Sequence, residues 1–204
     1  MADLMTLLEP DNNEMYNEVI KRNLEKRVLI FNEDVTDSIL ENYIMYILKW
    51  NAEDKHIPAE QRKKIWIILN SPGGEKLAGM MFLDVIKQSK TPIYCLIVSL
   101  AASMASYIPM VSWKTYAFAH SVVCIHDGEV GVVQTTRKAN DTMNFIKKCD
   151  ERLDALVIEN TKITPEFLDN IADREYYMFA DEAKELGIVD YIVGTDCSID
   201  DILN

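Results

Sequence analysis

The chain has 204 residues, 49% of them hydrophobic, with 33 acidic against 21 basic side chains and a formal net charge of −12. That length lets one domain bury roughly 70% of its unfolded surface around a single core. The acidity argues against a nucleic-acid partner, because a phosphate backbone needs a basic patch and none is visible. Cys95, Cys124, Cys149 and Cys197 form no C-x-x-C pair and no zinc spacing, so neither a metal nor a disulfide framework is expected, and a reducing cytoplasm is the natural compartment. Met1-Ala2-Asp3-Leu4 lacks the basic start and apolar core of a signal peptide.

In chain order, Asp37 and Ser38 stand where they can cap a helix whose apolar pairs Ile39/Leu40, Tyr43/Ile44 and Ile47/Leu48 recur at three and four. Asn51 to Lys64 reads as a polar connection. Strand-like and helix-like segments then alternate: Ile65–Leu69, Leu77–Gln88, Ile93–Val98, Ser103–Ser112 and Val122–Ile125. That alternation is the signature of a parallel sheet with helical crossovers. The stretch from Thr91 to Trp113 carries no charge and is long enough on paper to cross a bilayer. Pro92, Pro109 and the serines at 99, 103, 106 and 112 make it a buried strand, a turn and a buried helix instead, with no membrane partner. Gly128–Gln134 leads into a long helix, Arg137–Asn160, with Ala139, Met143, Ile146, Leu153 and Leu156/Val157 on one stripe. A strand and helix of that length extend further than one small core requires. Thr164-Pro165-Glu166 starts a short helix, Gly187 ends a helix over Glu182–Leu186, and Ile188–Val193 reads as the last strand. The acidic tail Gly194–Asn204 reads as loose.

Three segments carry chemistry. Ser99-Leu100-Ala101-Ala102-Ser103-Met104-Ala105-Ser106 follows an apolar run and sets one hydroxyl among small residues. A strand that stops there and restarts as a helix holds the Ser103 oxygen at the mouth of a cleft, as an acyl-transfer nucleophile requires. Alone, Ser103 is equally a small residue easing helix packing. Asn70-Ser71-Pro72-Gly73-Gly74 joins a strand to an amphipathic helix; its two glycines permit φ > 0 and let bare N–H groups face a ligand, which an oxyanion hole needs. Alone, it is a plain β-to-α turn. Val122-Val123-Cys124-Ile125-His126-Asp127-Gly128 ends a strand in a histidine beside a turn.

Taken together and in this order, the Ser-Pro-Gly-Gly, Ala-Ala-Ser-Met and Ile-His segments resemble the proteolytic subunit of the Clp protease, the ClpP family of serine peptidases. A fourth segment, Asp173-Arg174-Glu175-Tyr176-Tyr177-Met178-Phe179-Ala180-Asp181-Glu182-Ala183, resembles the family's strand carrying the triad acid. The similarity runs from about Arg27 to Ile192. It implies an α/β fold, the wound sheet shared with crotonases, with helical crossovers and a protruding strand-helix handle. Residues 27–193 would form the peptidase domain, after a divergent segment 1–26 and before the tail 194–204.

By that resemblance Ser103 is the nucleophile, His126 the general base, and Gly74 and Met104 supply the oxyanion-hole N–H groups. The family usually has aspartate where this chain has Glu175. Asp173 lies two residues earlier, and residues two apart on a strand share a face, so either acid is a candidate, with Glu175 favoured. Two further departures flank the nucleophile, where Ser99 and Ala105 replace family glycines. The resemblance also implies a homo-oligomer of two stacked heptameric rings, polypeptide substrates, no cofactor and no metal. ATP use would have to come from a separate AAA+ unfoldase, since no Walker-type loop is present. Residues 1–26 and the polar Gln88 depart from the family where an unfoldase docks. The alternatives are a catalytically impaired ring subunit and, last, an acyl-CoA enzyme of the crotonase fold.

Overall fold

The computed structural model describes residues 12–128 and 130–203; residues 1–11 of the expected N-terminal segment, Glu129 before the expected handle helix and Asn204 of the tail lie outside them. Helix α1 (Asn12–Glu25) precedes β1 (Val28–Phe31), and α2 (Met45–Glu53) follows a π-helical turn at Leu40–Ile44. Then come β2 (Ile65–Ser71), α3 (Lys76–Gln88), β3 (Ile93–Ala102), α4 (Tyr107–Val111), β4 (Lys114–Phe118), β5 (Val122–Ile125), α5 (Thr136–Asn160), α6 (Pro165–Ile171), β6 (Tyr176–Phe179), α7 (Ala180–Glu185) and β7 (Tyr191–Val193).

The sheet has seven strands, with β1-β2-β3-β4-β7 parallel, β5 parallel to β3, and β6 antiparallel to β5. Parallel strands need covered faces, and β2 and β3 accordingly bury Ile65, Ile67, Leu69, Ile93, Cys95 and Ile97 completely. The main core lies where these residues meet Ile39, Ile47, Phe82 and Ile86 from the preceding helices and Leu153 and Val157 from α5. A smaller cluster on the opposite face gathers Val28, Trp66, Leu96 and Val193, with Trp66 and Tyr94 packed edge-on at 5.2 Å.

β3 is the pivot. Its first half pairs with β2 and β4 through Tyr94–Ile97, and its last residues, Leu100–Ala102, pair with β5. A register shift between Leu69 and Ser71 accompanies that change of neighbour. The expected strand Ile93–Val98 is therefore four residues too short, because Leu100–Ala102 find partners in β5 that periodicity cannot reveal. Ser103 thus follows the carboxyl end of a central parallel strand, the place where wound sheets bind ligands.

Other expectations change in detail. The helix expected over Ser103–Ser112 divides into a 3₁₀ turn at Ser103–Ser106 and α4. Neither Asp37 nor Ser38 caps the helix with its side chain; the Ser38 and Thr36 hydroxyls bond each other at 2.8 Å. The polar connection begins later than Asn51, because α2 continues to Glu53. Asn51 ties that helix to the α3–β3 turn, donating to the Ser89 hydroxyl at 2.8 Å and accepting from the Lys90 and Thr91 N–H groups at 3.0 and 3.1 Å. No strand stands among the described residues between Ile125 and Thr136, so the handle is helix and loop. Its helix buries Cys149, Leu153 and Val157 in the second half, while Met143 and Phe145 in the first half are exposed.

Thr164 caps α6 as expected, its hydroxyl accepting from the Phe167 N–H at 3.2 Å. The last strand is shorter than expected, Tyr191–Val193, with Ile188 and Val189 buried before it. The tail is fastened rather than loose. Asp196 accepts from the Ile192 N–H and from Lys184, both at 2.6 Å, and Ile202 packs on the second apolar cluster. Among the described residues no helix is long and apolar enough to cross a membrane.

Candidate active site

Ser103 adopts φ 52°, left-handed for a non-glycine residue, a conformation that costs of order 1 kcal/mol and persists only where the surroundings impose it. Two features impose it here. The Ser106 hydroxyl donates to the Ser103 carbonyl at 2.7 Å, and Gly73 lies against the turn so closely that a Cβ there would stand 2.5 Å from the Ala102 carbonyl oxygen and 2.9 Å from the Met104 nitrogen. Gly73, at φ 95°, is therefore required by the serine turn itself. The pair of glycines pointed to this loop, but Gly74 alone was singled out from the sequence; the contact with Ala102 is long-range and leaves no local signal.

Gly74 has a different reason to be glycine. Its Cβ would stand 2.3 Å from the Val35 carbonyl oxygen, because Val35 forms a parallel bridge across this residue. The Val35 N–H donates to the Gly73 carbonyl at 2.8 Å and the Glu75 N–H donates to the Val35 carbonyl at 2.7 Å. Both bonds go to the neighbours of Gly74, so its own N–H takes no part in the bridge. Asn70 secures the same loop, accepting from the Leu100 N–H at 3.2 Å and donating to Asn32 at 2.7 Å.

A cavity of about 890 Å³ brings Gly74, Ser103, Met104 and His126 onto one wall. Glu175 and Asp173 lie outside its lining. Among the described residues neither the Ser103 hydroxyl nor the His126 ring makes a hydrogen bond, so the four residues share a cavity without being linked. A second cavity of about 490 Å³, between α2 and α3, contains none of them.

The two candidate acids are separated by backbone. In the β5–β6 ladder Cys124 faces Tyr177 and Ile125 faces Tyr176, the last pair, and His126 and Glu175 are the residues just beyond it. Asp173 is not on that strand. It sits in the turn before β6 at φ 58°, and its N–H donates to the Asp127 carboxylate at 2.9 Å. The premise that the two acids share a strand face therefore fails, since β6 starts only at Tyr176. Glu175 accepts a hydrogen bond from the Tyr177 hydroxyl at 2.8 Å, and that bond is the main reason the phenol is pushed up to about 12. Tyr177 belongs to the fourth family-like segment, but its bond to Glu175 has no sequence signal, for an i,i+2 contact between strand residues has no distinguishing pattern.

The rest of the lining mixes apolar residues with carboxylates. Asp150 and Asp154 project from α5 and Asp169 from α6, with Asp127 beside His126. Lys76 pairs with Asp150. Burial, followed by the charges of Asp150, Asp127 and Asp169, pushes the Asp154 carboxyl above the usual range, with Lys76 opposing. Among the described residues no group of carboxylates, histidines and cysteines is arranged to hold a metal ion.

Residues 11–196 match the family model described as Clp protease. The chain belongs to the Clp protease family, and its mixed α/β architecture, with a mostly parallel sheet and helical crossovers, is consistent with the ClpP fold.

Proposed function

We propose that this Clp protease family member is a serine endopeptidase in which Ser103 is the nucleophile, His126 the general base and Glu175 the acid. The observation that carries the reading is the left-handed Ser103 at the end of a central parallel strand, sharing one cavity with Gly74, Met104 and His126. Backbone strain of this kind is retained where a function needs the side chain held out at a turn.

In this mechanism a polypeptide lies along the cavity and His126 takes the Ser103 proton as the hydroxyl oxygen attacks a peptide carbonyl. The carbonyl oxygen gains negative charge and receives the N–H groups of Gly74 and Met104, the second being the residue after the nucleophile, as in other serine hydrolases. The tetrahedral adduct collapses, His126 returns the proton to the departing amine, and an acyl-enzyme remains. Water, deprotonated by the same histidine, then releases the acyl group and restores Ser103. Glu175, like His126 just beyond the last β5–β6 pair, would fix the imidazole tautomer and stabilise the imidazolium. To do so its side chain must engage His126 as well as Tyr177, a tightening that commonly accompanies substrate binding.

The same reading includes a cytoplasmic assembly of two stacked heptameric rings supplied with polypeptide by an AAA+ unfoldase. What supports the ring is the first half of α5 and the loop before it, where Val130, Val133, Met143 and Phe145 are exposed together with little of their own domain to cover them. A second reading, an impaired ring subunit with the same fold, is favoured by one observation: Glu175 is engaged by Tyr177 and not by His126. Labelling with a serine-directed fluorophosphonate separates the two. The parent should label at Ser103 and Ser103→Ala should not; a parent that resists labelling would establish the impaired subunit.

A further inference from the structure

Resting on the peptidase reading of this cleft, we propose that it selects polypeptides carrying a lysine or arginine side chain beside the bond that Ser103 attacks. The cavity lining combines the apolar residues Ile125, Leu153, Val157, Leu168 and Ile171 with the carboxylates of Asp34, Glu75, Asp127, Asp150, Asp154 and Asp169, against Lys76 as the single lysine or arginine among the described lining residues. Lys76 is already paired with Asp150, and among the described residues Asp154 and Asp169 form no ion pair. A side chain with a methylene stem and a cationic head suits a lining that is both apolar and acidic.

A second observation inside the cavity points the same way. Tyr107 is 9% exposed and lines the cavity, yet its hydroxyl makes no hydrogen bond among the described residues. Buried phenols normally find a partner. No described side-chain oxygen or nitrogen that is sealed from solvent lacks one, so the Tyr107 oxygen opens onto the cavity. Burial and the neighbouring Asp154, Asp150 and Asp127 push the phenol up, which keeps it an O–H group able to meet an entering chain. Asp150 and Asp154, one helical turn apart on α5, are a like-charge pair that weakens the helix. An incoming cation relieves that repulsion, whereas an acidic side chain adds to it. Selection by such a pocket works as much by rejection as by attraction.

Affinity can be read without turnover. In the Ser103→Ala protein, fluorescence anisotropy would compare peptides identical except for lysine, arginine, norleucine or glutamate at one position. Lysine and arginine peptides should bind about tenfold tighter than the norleucine peptide, and glutamate weakest, with the spread shrinking as salt is raised. Asp154→Asn on the same background should narrow the lysine-to-norleucine ratio to about threefold, and Asp169→Asn should narrow it less, as each removes one unpaired charge. Norleucine binding as tightly as lysine would overturn the proposal, as would an Asp154→Asn change that weakened every peptide alike. Fluorophosphonate labelling of the parent, run in parallel, reports on hydrolysis separately. A charge preference without labelling would uphold the selectivity of the cleft and reject the peptidase mechanism.

Discussion

The Ser103 turn in this cleft and the Glu175 segment outside its lining are built by different means. Ser103 is held by close backbone packing: Gly73 fits against Ala102 and Met104 with no room for a methyl group, and Ser106 fastens the turn from the other side. Glu175 sits just before a four-residue strand whose Tyr177 and Phe179 are 58% and 52% exposed, fixed by one hydrogen bond. An atom placed by backbone contact tolerates almost no substitution nearby. A carboxylate at an exposed position before a short strand tolerates changes in side-chain length.

That contrast can be broken at several points, beginning with the largest effect. Ser103→Ala should lower turnover by about 10⁴-fold or more while leaving the fold intact, measured with a fluorogenic peptide and circular dichroism. Activity within tenfold of the parent would remove Ser103 from the nucleophile's place. On the acid side, Glu175→Gln should cost about 10³- to 10⁴-fold, since an amide keeps the shape but loses the charge that orients a histidine. Asp173→Asn should cost less than about tenfold, and the reverse ranking would reassign the acid to the turn.

Gly74→Val should lower turnover by roughly 100-fold or more through the oxyanion site. The 2.3 Å approach to the Val35 carbonyl means that the bridge must also shift. A lowered melting temperature should therefore accompany the lost activity. Gly131→Val is the control, because a Cβ there meets nothing within 4 Å, and its melting temperature should match the parent's.

The smallest effect lies far from the cleft. Arg27 donates to the Asp54 carboxylate with one bond at 2.9 Å, and both side chains are largely buried. That bond holds the Asp54 carboxyl below its ordinary 3.8. A depressed folded value means that the pair's contribution is fully present above the unfolded value and is lost as pH falls through the folded one. Asp54→Asn should therefore destabilise the protein by about 3 kcal/mol at neutral pH, and the difference should shrink as pH falls below about 4. Denaturant titrations at pH 7 and pH 3 check this; a gap of equal size at both would refute it.

Much of the nucleophile side was legible because its signals are local. A run of small residues after an apolar strand and a Gly-Gly turn are both written in consecutive positions, and both restrict backbone conformation directly. The alternating apolar segments likewise fixed a parallel α/β fold, since buried strands and amphipathic helices differ in period. Boundaries suffered wherever pairing overrode composition: Leu100–Ala102 are strand because β5 lies beside them, and the tail is ordered because Asp196 and Ile202 find partners elsewhere in the fold.

What the sequence determined by itself was thus the fold class, the serine turn and the family likeness, through patterns of hydrophobicity and backbone freedom read along the chain. Only the tertiary structure decided that Asp173 sits in the turn before β6 while Glu175 accepts from Tyr177, that Gly73 is needed by Ser103, and that carboxylates from α5 and α6 gather with a buried Tyr107 around one cavity. The last two are relations between residues distant in sequence. They depend on register and close approach, which no single segment encodes.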